Sequence, residues 1–308
     1  MAEIFTIAGI GEVLFDVLPE GKKLGGAPVN FTFHAQQLGL NAYPVSAVGR
    51  DDDGRKILDK LTQAELSAKY IQQVDFPTGT AQVSLDAQGV PNFTITENAA
   101  WDYIQWTNQL IQLAAKVDAV CFGSLAQRSS HSCRSIHEFL HHTRHDCLKI
   151  FDINLRQQYY SKDIIKTSLK TANVLKLNDG ELVILQDLLE LPSSPQEALC
   201  ALQDSYELDY IALTHGAKGA LLKNHLICCD CPGFTTTVVD TIGAGDSYTA
   251  VLAFGILHNL PLDQINQMAN CVAAYVCSQF GATPAFSDSL ISEFKEFDLC
   301  ERKNTNEY

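Results

Sequence analysis

No apolar run in this chain of 308 residues approaches the roughly 20 residues that a membrane-spanning helix needs, so a bilayer is excluded as its place of work. Positive charge is scarce too, with 22 Lys and Arg against 36 Asp and Glu, a net charge of −14. A phosphate backbone is bound by clustered cations, so nucleic acid is a poor partner and a small molecule a better one. Met1-Ala2-Glu3-Ile4-Phe5 lacks the basic flank and cleavage site of a secretory leader, and a cytoplasmic location is expected. Repeats, low-complexity tracts and Pro-rich linkers are missing, so nothing forces a split and residues 1–308 read as one domain. Disulfide spacing is lacking as well: ten cysteines are scattered through a long chain and read as reduced thiols. The densest run, Cys228-Cys229-Asp230-Cys231, would put Cys229 and Cys231 on one strand face and Cys228 on the other. No second Cys/His pair stands at zinc-finger spacing.

What is present is 46% hydrophobic residues in an alternating order of elements. A strand at 4–10 precedes a helix carrying Val29, Phe33 and Leu38, then a strand at 43–48 and a helix at 53–64. Two alternating segments, 79–85 and 91–96, flank Asp86-Ala87-Gln88-Gly89 as a hairpin. Strands at 119–122, 148–153, 173–177 and 210–214 then alternate with helices, followed by a hairpin at 217–231, helices, and a frayed polar tail at 301–308. This order predicts an α/β fold with a doubly wound, mainly parallel sheet flanked by helices. Ligands of such sheets sit beyond the carboxyl ends of the strands, so the residues after Ile10, Ile153, Leu177, Thr214 and Val239 should converge.

One of those places carries Asp240-Thr241-Ile242-Gly243-Ala244-Gly245-Asp246, between the β-branched stretch 235–239 and an apolar helical pattern from Tyr248. Small residues there let the backbone approach an anion, and the helix start offers unpaired N–H groups. Asp246 should stay ionised among such donors and is suited to take a proton from an attacking hydroxyl. The plainer reading is a glycine-rich strand-to-helix turn with a capping aspartate. After the first strand, Asp16, Gly25-Gly26 and Asn30 suit hydrogen bonding to sugar hydroxyls, or a loop aspartate and a helix cap. Alternation would put Asp152, Asn154 and Arg156 on one face, three polar residues where an internal strand should be apolar; a ligand or an internal salt bridge would satisfy them. Asn178 and Glu181 share a helix-start face, as a site for hydrated Mg2+ or a simple capping box. Thr214-His215-Gly216-Ala217-Lys218-Gly219 gives a second glycine turn after a strand.

Two patterns mislead. Gly9-Ile10-Gly11 has Leu14 where a dinucleotide fingerprint needs its third glycine, and no complete Walker A sequence occurs. His137-Glu138-Phe139-Leu140-His141 matches the helical zinc-protease pattern, so a zinc hydrolase is a remote alternative. At about 100° per residue, however, His137, His141 and His145 fall toward the flank and solvent.

Taken in order, these motifs resemble the PfkB (ribokinase-like) family of carbohydrate kinases across nearly the whole chain. The match rests on Asp240 to Asp246, on Gly25-Gly26 with Asn30, and on Asn178 with Glu181. The resemblance implies ATP as phosphoryl donor, Asp246 as catalytic base and an anion hole from the Gly243, Ala244 and Gly245 amides. It implies sugar binding by Asp16, Gly26 and Asn30, and an ATP site along Thr214, Gly216 and Gly219, with Asn178 on the phosphate side and Asn270 near adenine. Glu181 would hold Mg2+ through water, and backbone near Asp240, Ile242 and Gly281 would hold K+. Residues 12–24 and 79–96 would form a small β-sheet lid that excludes water, and such lids often pair subunits into a homodimer. Val251 departs from the family, which prefers a smaller residue there. The 152–156 run is similar to that of fructokinases and 2-keto-3-deoxygluconate kinases. A sugar-acid kinase resembles its relatives in a Tyr-Arg pair after the second lid strand; this chain has Thr96-Glu97. Glu97 repels a carboxylate, so fructose is the expected substrate and a sugar acid or nucleoside the alternative.

Overall fold

The computed structural model describes residues 4–18, 21–85 and 91–292. In chain order, β1 (Thr6–Ile10), β2 (Leu14–Leu18) and β3 (Gly21–Gly25) lead into α1 (Ala27–Gln37), β4 (Asn41–Gly49) and α2 (Asp52–Gln63). Next come β5 (Ile71–Val74), β6 (Gly79–Leu85), β7 (Pro91–Ile95), α3 (Asn108–Ala114) and β8 (Ala119–Phe122). The chain goes on through α4 (Ser130–His141), β9 (Leu148–Asp152), α5 (Lys162–Thr171), β10 (Val174–Asn178), α6 (Asp179–Leu189) and α7 (Pro195–Tyr206). It then forms β11 (Tyr210–Thr214), β12 (Gly219–Lys223), β13 (Cys228–Pro232), α8 (Ala244–Leu257) and α9 (Leu262–Cys277).

Nine strands form one sheet in the order β13-β12-β11-β10-β9-β8-β1-β4-β5, parallel except for the antiparallel β12 and β13 at one edge. From β1 the chain steps outward to β5, then returns to β8 and steps outward the other way. The order therefore reverses between β1 and β8, and a crevice opens there at the carboxyl ends. Apolar β8, β9 and β10 are buried because helices cover both faces. α8 is buried from Ser247 to Ile256, packed against α1 and α9, and its nearly all-apolar surface suits that position. Val251 is fully enclosed in it. A second, four-stranded sheet in the order β3-β2-β6-β7 stands apart from the first. Both segments expected in the small sheet, 12–24 and 79–96, contribute to it. The Asp86 to Gly89 turn and the 301–308 tail lie outside the described residues.

Three expectations need correction. The β-branched stretch 235–239 is not a strand: the chain runs irregularly from β13 to α8, and Thr235, Val238 and Val239 border open space instead of pairing. β-branching favours a strand only where it pairs with a neighbour, and here the Val239 amide donates to Cys277 O at the end of α9 instead. Two helices, α6 and α7, fill the crossover between β10 and β11, broken at Leu191-Pro192, where proline cannot continue a helix. β9 ends at Asp152, and Asn154 takes a left-handed conformation (φ 47°), so the expected alternation of Asp152, Asn154 and Arg156 on one strand face does not occur. Among the described residues no helix is long and apolar enough to cross a membrane.

Candidate active site

α8 starts bare. Its N-cap is Gly243, in a left-handed conformation (φ 82°), and no side chain caps it. A Cβ at Gly243 would collide with the Ala282 carbonyl, so this turn requires glycine twice over. Asp246 does not cap the helix as the plainer reading had it; its Oδ2 accepts a 2.8 Å hydrogen bond from Asn30 Nδ2 on α1. Asp240 does the local tying, its carboxylate accepting from Ile242 N at 3.0 Å and Gly281 N at 3.1 Å. Asn30 is buried, and its Oδ1 has no partner among the described residues. An orphaned buried carbonyl beside a carboxylate is a place for a ligand hydroxyl. Burial, reinforced by the negative charge of Asp152, pushes the Asp246 carboxyl up to about 6. The helix amides therefore do not dominate its titration, although it remains largely ionised at neutral pH.

Two further carboxylates face this point. Burial raises Glu12 to about 7 and Asp16, on β2, to about 6, and the Arg156 guanidinium lowers both against that trend. Arg156 also lowers Asp246, so although exposed on the β9–α5 loop it exerts its charge on all three groups. Gly25 and Gly26 run directly beside Asp16 and Glu12. Thus Asp16, Gly26, Asn30, Arg156 and Asp246 come together, while Asn154 reaches this loop in its left-handed turn.

Asp152 departs from its expected place in the cleft. One oxygen accepts from Lys176 Nζ at 3.0 Å and the other from Thr249 Oγ1 at 2.8 Å, all three residues buried. The internal salt bridge, not a sugar, satisfies it. The sequence reading missed Lys176, whose signal was a lone lysine in the otherwise apolar strand Val174-Leu175-Lys176-Leu177. A Cβ on Gly245 would stand 2.9 Å from its Nζ, so the ammonium lies directly against the bare turn. Burial draws the lysine down, but the charges of Asp152, Glu181 and Asp246 outweigh it and hold the ammonium protonated.

On the far side of the turn is a cavity of about 530 Å³, lined by Thr214, Gly216, Gly219, Ala244, Gly245 and Asn270 among others. Of the residues expected along a nucleotide, Thr214, Gly216, Gly219 and Asn270 line it, and Asn178 does not. Asn270 is fixed by bonds from its Nδ2 to Asn266 O (2.8 Å) and Oδ1 (3.0 Å). Asn178 and Glu181 form a complete capping box: Asn178 Oδ1 accepts from Glu181 N at 3.0 Å, and Glu181 Oε2 accepts from Asn178 N at 2.8 Å. Glu181 Oε1 accepts from Leu155 N at 3.0 Å, which ties α6 to the β9–α5 loop. Each oxygen keeps a lone pair that a metal-bound water could use.

The pattern of pfkB family carbohydrate kinases matches residues 17–289. The chain belongs to this family. A fructokinase of Salmonella typhimurium is 27% identical over 89% of this chain and 92% of that relative. An ATP-dependent 6-phosphofructokinase of Thermoanaerobacterium thermosaccharolyticum is 25% identical, with 90% and 89% covered. Among solved structures, an uncharacterized sugar kinase of Pyrococcus horikoshii in complex with ATP shares 25% identity and a TM-score of 0.80, covering 94% of this chain and 99% of that one.

The zinc-like pattern in this pfkB sugar kinase has a different use. His137 Nε2 lies 3.0 Å from Gln127 Oε1, in a polar cluster with Ser168, rather than in solvent. Burial lowers its titration, and His141 is exposed. Among the described residues no three or more His, Cys, Asp or Glu side chains are grouped to hold a metal.

Proposed function

We propose that this pfkB kinase transfers the γ-phosphoryl group of ATP to a hydroxyl of a neutral ketohexose, with fructose to fructose 6-phosphate as the leading reaction. The observation that carries the reading is the Asn30–Asp246 pair: a half-buried carboxylate next to an orphaned buried carbonyl, at the edge of an uncapped helix start. The sugar hydroxyl donates to Asp246, passes its proton to that carboxylate and attacks the γ-phosphorus, while the bond to the ADP oxygen breaks. The amides of Gly243, Ala244 and Gly245 stabilise charge gathering on the transferred group. Asp16, Gly26, Asn30, Asn154 and Arg156 orient the sugar. Thr214, Gly216, Gly219 and Asn270 take the nucleotide, with Asn178 toward its phosphates. Asp152 serves from behind, holding Lys176 and Thr249.

Mg2+, when bound, supplies charge neutralisation on the phosphates, and Glu181 would hold it through water. The Asp240 carboxylate is already taken by two amides, so K+ near Asp240 and Ile242 would rest on backbone carbonyls. A neutral sugar is favoured over 2-keto-3-deoxygluconate because Glu97 stands where a carboxylate would need a cation, and because the nearby Arg128 is already paired with Asp102. The name of the Salmonella relative supports fructose in the same direction.

The deciding measurement is ADP release with ATP and Mg2+ over fructose, fructose 6-phosphate, tagatose, ribose, 2-keto-3-deoxygluconate and nucleosides. Fructose should show the largest kcat/KM. A preference for fructose 6-phosphate or for the sugar acid overturns the substrate assignment, and silence on every acceptor overturns the reading.

A further inference from the structure

Outside the cleft, one buried arginine ties three distant segments together. Arg128, 8% exposed at its side chain, makes a two-point ion pair with Asp102: Nε to Oδ1 at 2.9 Å and Nη2 to Oδ2 at 2.8 Å. The same Nη2 donates at 2.6 Å to the carbonyl of Thr96, where the chain leaves β7. Its guanidinium lies 4.0 Å from the Trp101 ring centre and 4.5 Å from that of Tyr159. Tyr159 belongs to the β9–α5 loop; its N–H donates to Arg156 O at 3.1 Å and its hydroxyl to Glu97 Oε1 at 3.0 Å. Thr96 is joined to β6 through Thr80, by a backbone bond of 2.9 Å and a hydroxyl pair at 2.7 Å. β6 pairs in turn with β2, the strand that carries Asp16.

The small sheet and the Arg156 loop are therefore linked twice, through Arg128 to Thr96 and through Tyr159 to Glu97. A bidentate, ring-stacked arginine is directional, so a shift of the β7 exit has to move the loop with it. We propose that Arg128 and Tyr159 are positioning residues that couple the small sheet to Arg156, so that the two sides of the sugar site close as one unit. The inference rests on the sugar-kinase reading above, since it assigns the coupled parts to the sugar. Arg128 Nη1 is buried without a partner among the described residues, which marks a guanidinium placed for its stacking and its three hydrogen bonds at the cost of one unmet nitrogen.

Removing Arg128 would leave Asp102 buried and unpaired, so the test begins at the outer link. Tyr159→Phe and Glu97→Ala should each raise the sugar KM about 5-fold, the cost of one lost hydrogen bond. Both should leave the KM for ATP and the melting temperature unchanged, and should increase ADP released per sugar phosphorylated. Glu97→Gln keeps an acceptor and should restore wild-type behaviour. The double variant should be no worse than either single one. An unchanged sugar KM, additive losses in the double variant, or losses that follow melting temperature overturn the coupling. Amide exchange decides without any substrate: Tyr159→Phe should loosen residues 94–97 along with 154–159. Loosening confined to 154–159 overturns the coupling even if no sugar proves active, whereas failure of the sugar panel alone overturns only the substrate reading.

Discussion

α6 and α8 begin at the same edge of the sheet with the same local layout, a glycine at the second helical position and an acid at the third, yet one start is closed and the other open. At α6 the N-cap is Asn178, which takes the Glu181 amide, while Glu181 folds back onto Asn178 N and Leu155 N. At α8 the N-cap is Gly243, which has no side chain to offer, and Asp246 looks away from its own backbone to Asn30. The orphan amides of a helix start must find acceptors. α6 meets two of its orphan amides with its own side chains, whereas no side chain caps α8, whose Ala244 amide reaches only the Thr241 carbonyl at 3.4 Å. The residue at the cap, more than the glycine or the acid, separates the two starts.

The sharpest way to break this contrast is at the acid. Asp246→Asn keeps size and the bond to Asn30 but cannot accept a proton, so kcat should fall by about 10³-fold with sugar binding largely kept. Calorimetric sugar titration alongside ADP release would check it, and near-wild-type turnover would remove Asp246 as base. Next is the cap itself. Gly243→Ala forces a Cβ against the Ala282 carbonyl and a left-handed backbone. It should cost about 1–3 kcal/mol of stability in urea titration. The displaced amides should lose about 10²-fold in kcat.

A milder perturbation is pH. With its carboxyl raised to about 6, Asp246 must lose its proton to act, so kcat/KM should rise with pH through that value and flatten above it. Stability should run the other way. A group bound more tightly to its proton in the folded chain contributes stability that is complete below its ordinary value near 3.8 and is lost as pH rises through about 6. Asp16, and Glu12 up to about 7, add in the same direction. Urea midpoints of the free protein should therefore fall between pH 4 and 7 while activity climbs. Parallel rises would show that the three carboxyls are not held up in the folded chain.

The contrast also explains what could be read from the sequence. Alternating elements, the bare glycine turn and the capping box are local patterns, and each left its mark within a few residues. Asp152 was misread because its satisfaction depends on Lys176 and Thr249, 24 and 97 positions away. The 235–239 stretch has strand composition, but its end is held by α9, Val239 N donating to Cys277 O, a partner that only the fold supplies. Arg128 was invisible for the same reason, since Asp102, Thr96 and Tyr159 meet it only through the fold.

The smallest effect belongs to the closed start. Asn178→Ala removes the side-chain acceptor for the Glu181 amide but keeps the backbone N–H that Glu181 accepts from, and should cost about 1 kcal/mol. If α6 is scaffold first, urea titration should show that loss while the sugar KM stays put and the KM for MgATP rises only a few-fold. If kcat instead collapsed as steeply as in the Asp246 variant, the α6 start would belong to the reacting centre, and the difference drawn between a capped and an uncapped helix would not hold. The two hydrogen bonds that Glu181 accepts, from Asn178 N and Leu155 N, argue for the first outcome, because a carboxylate committed to two backbone amides has little freedom to follow a moving phosphoryl group.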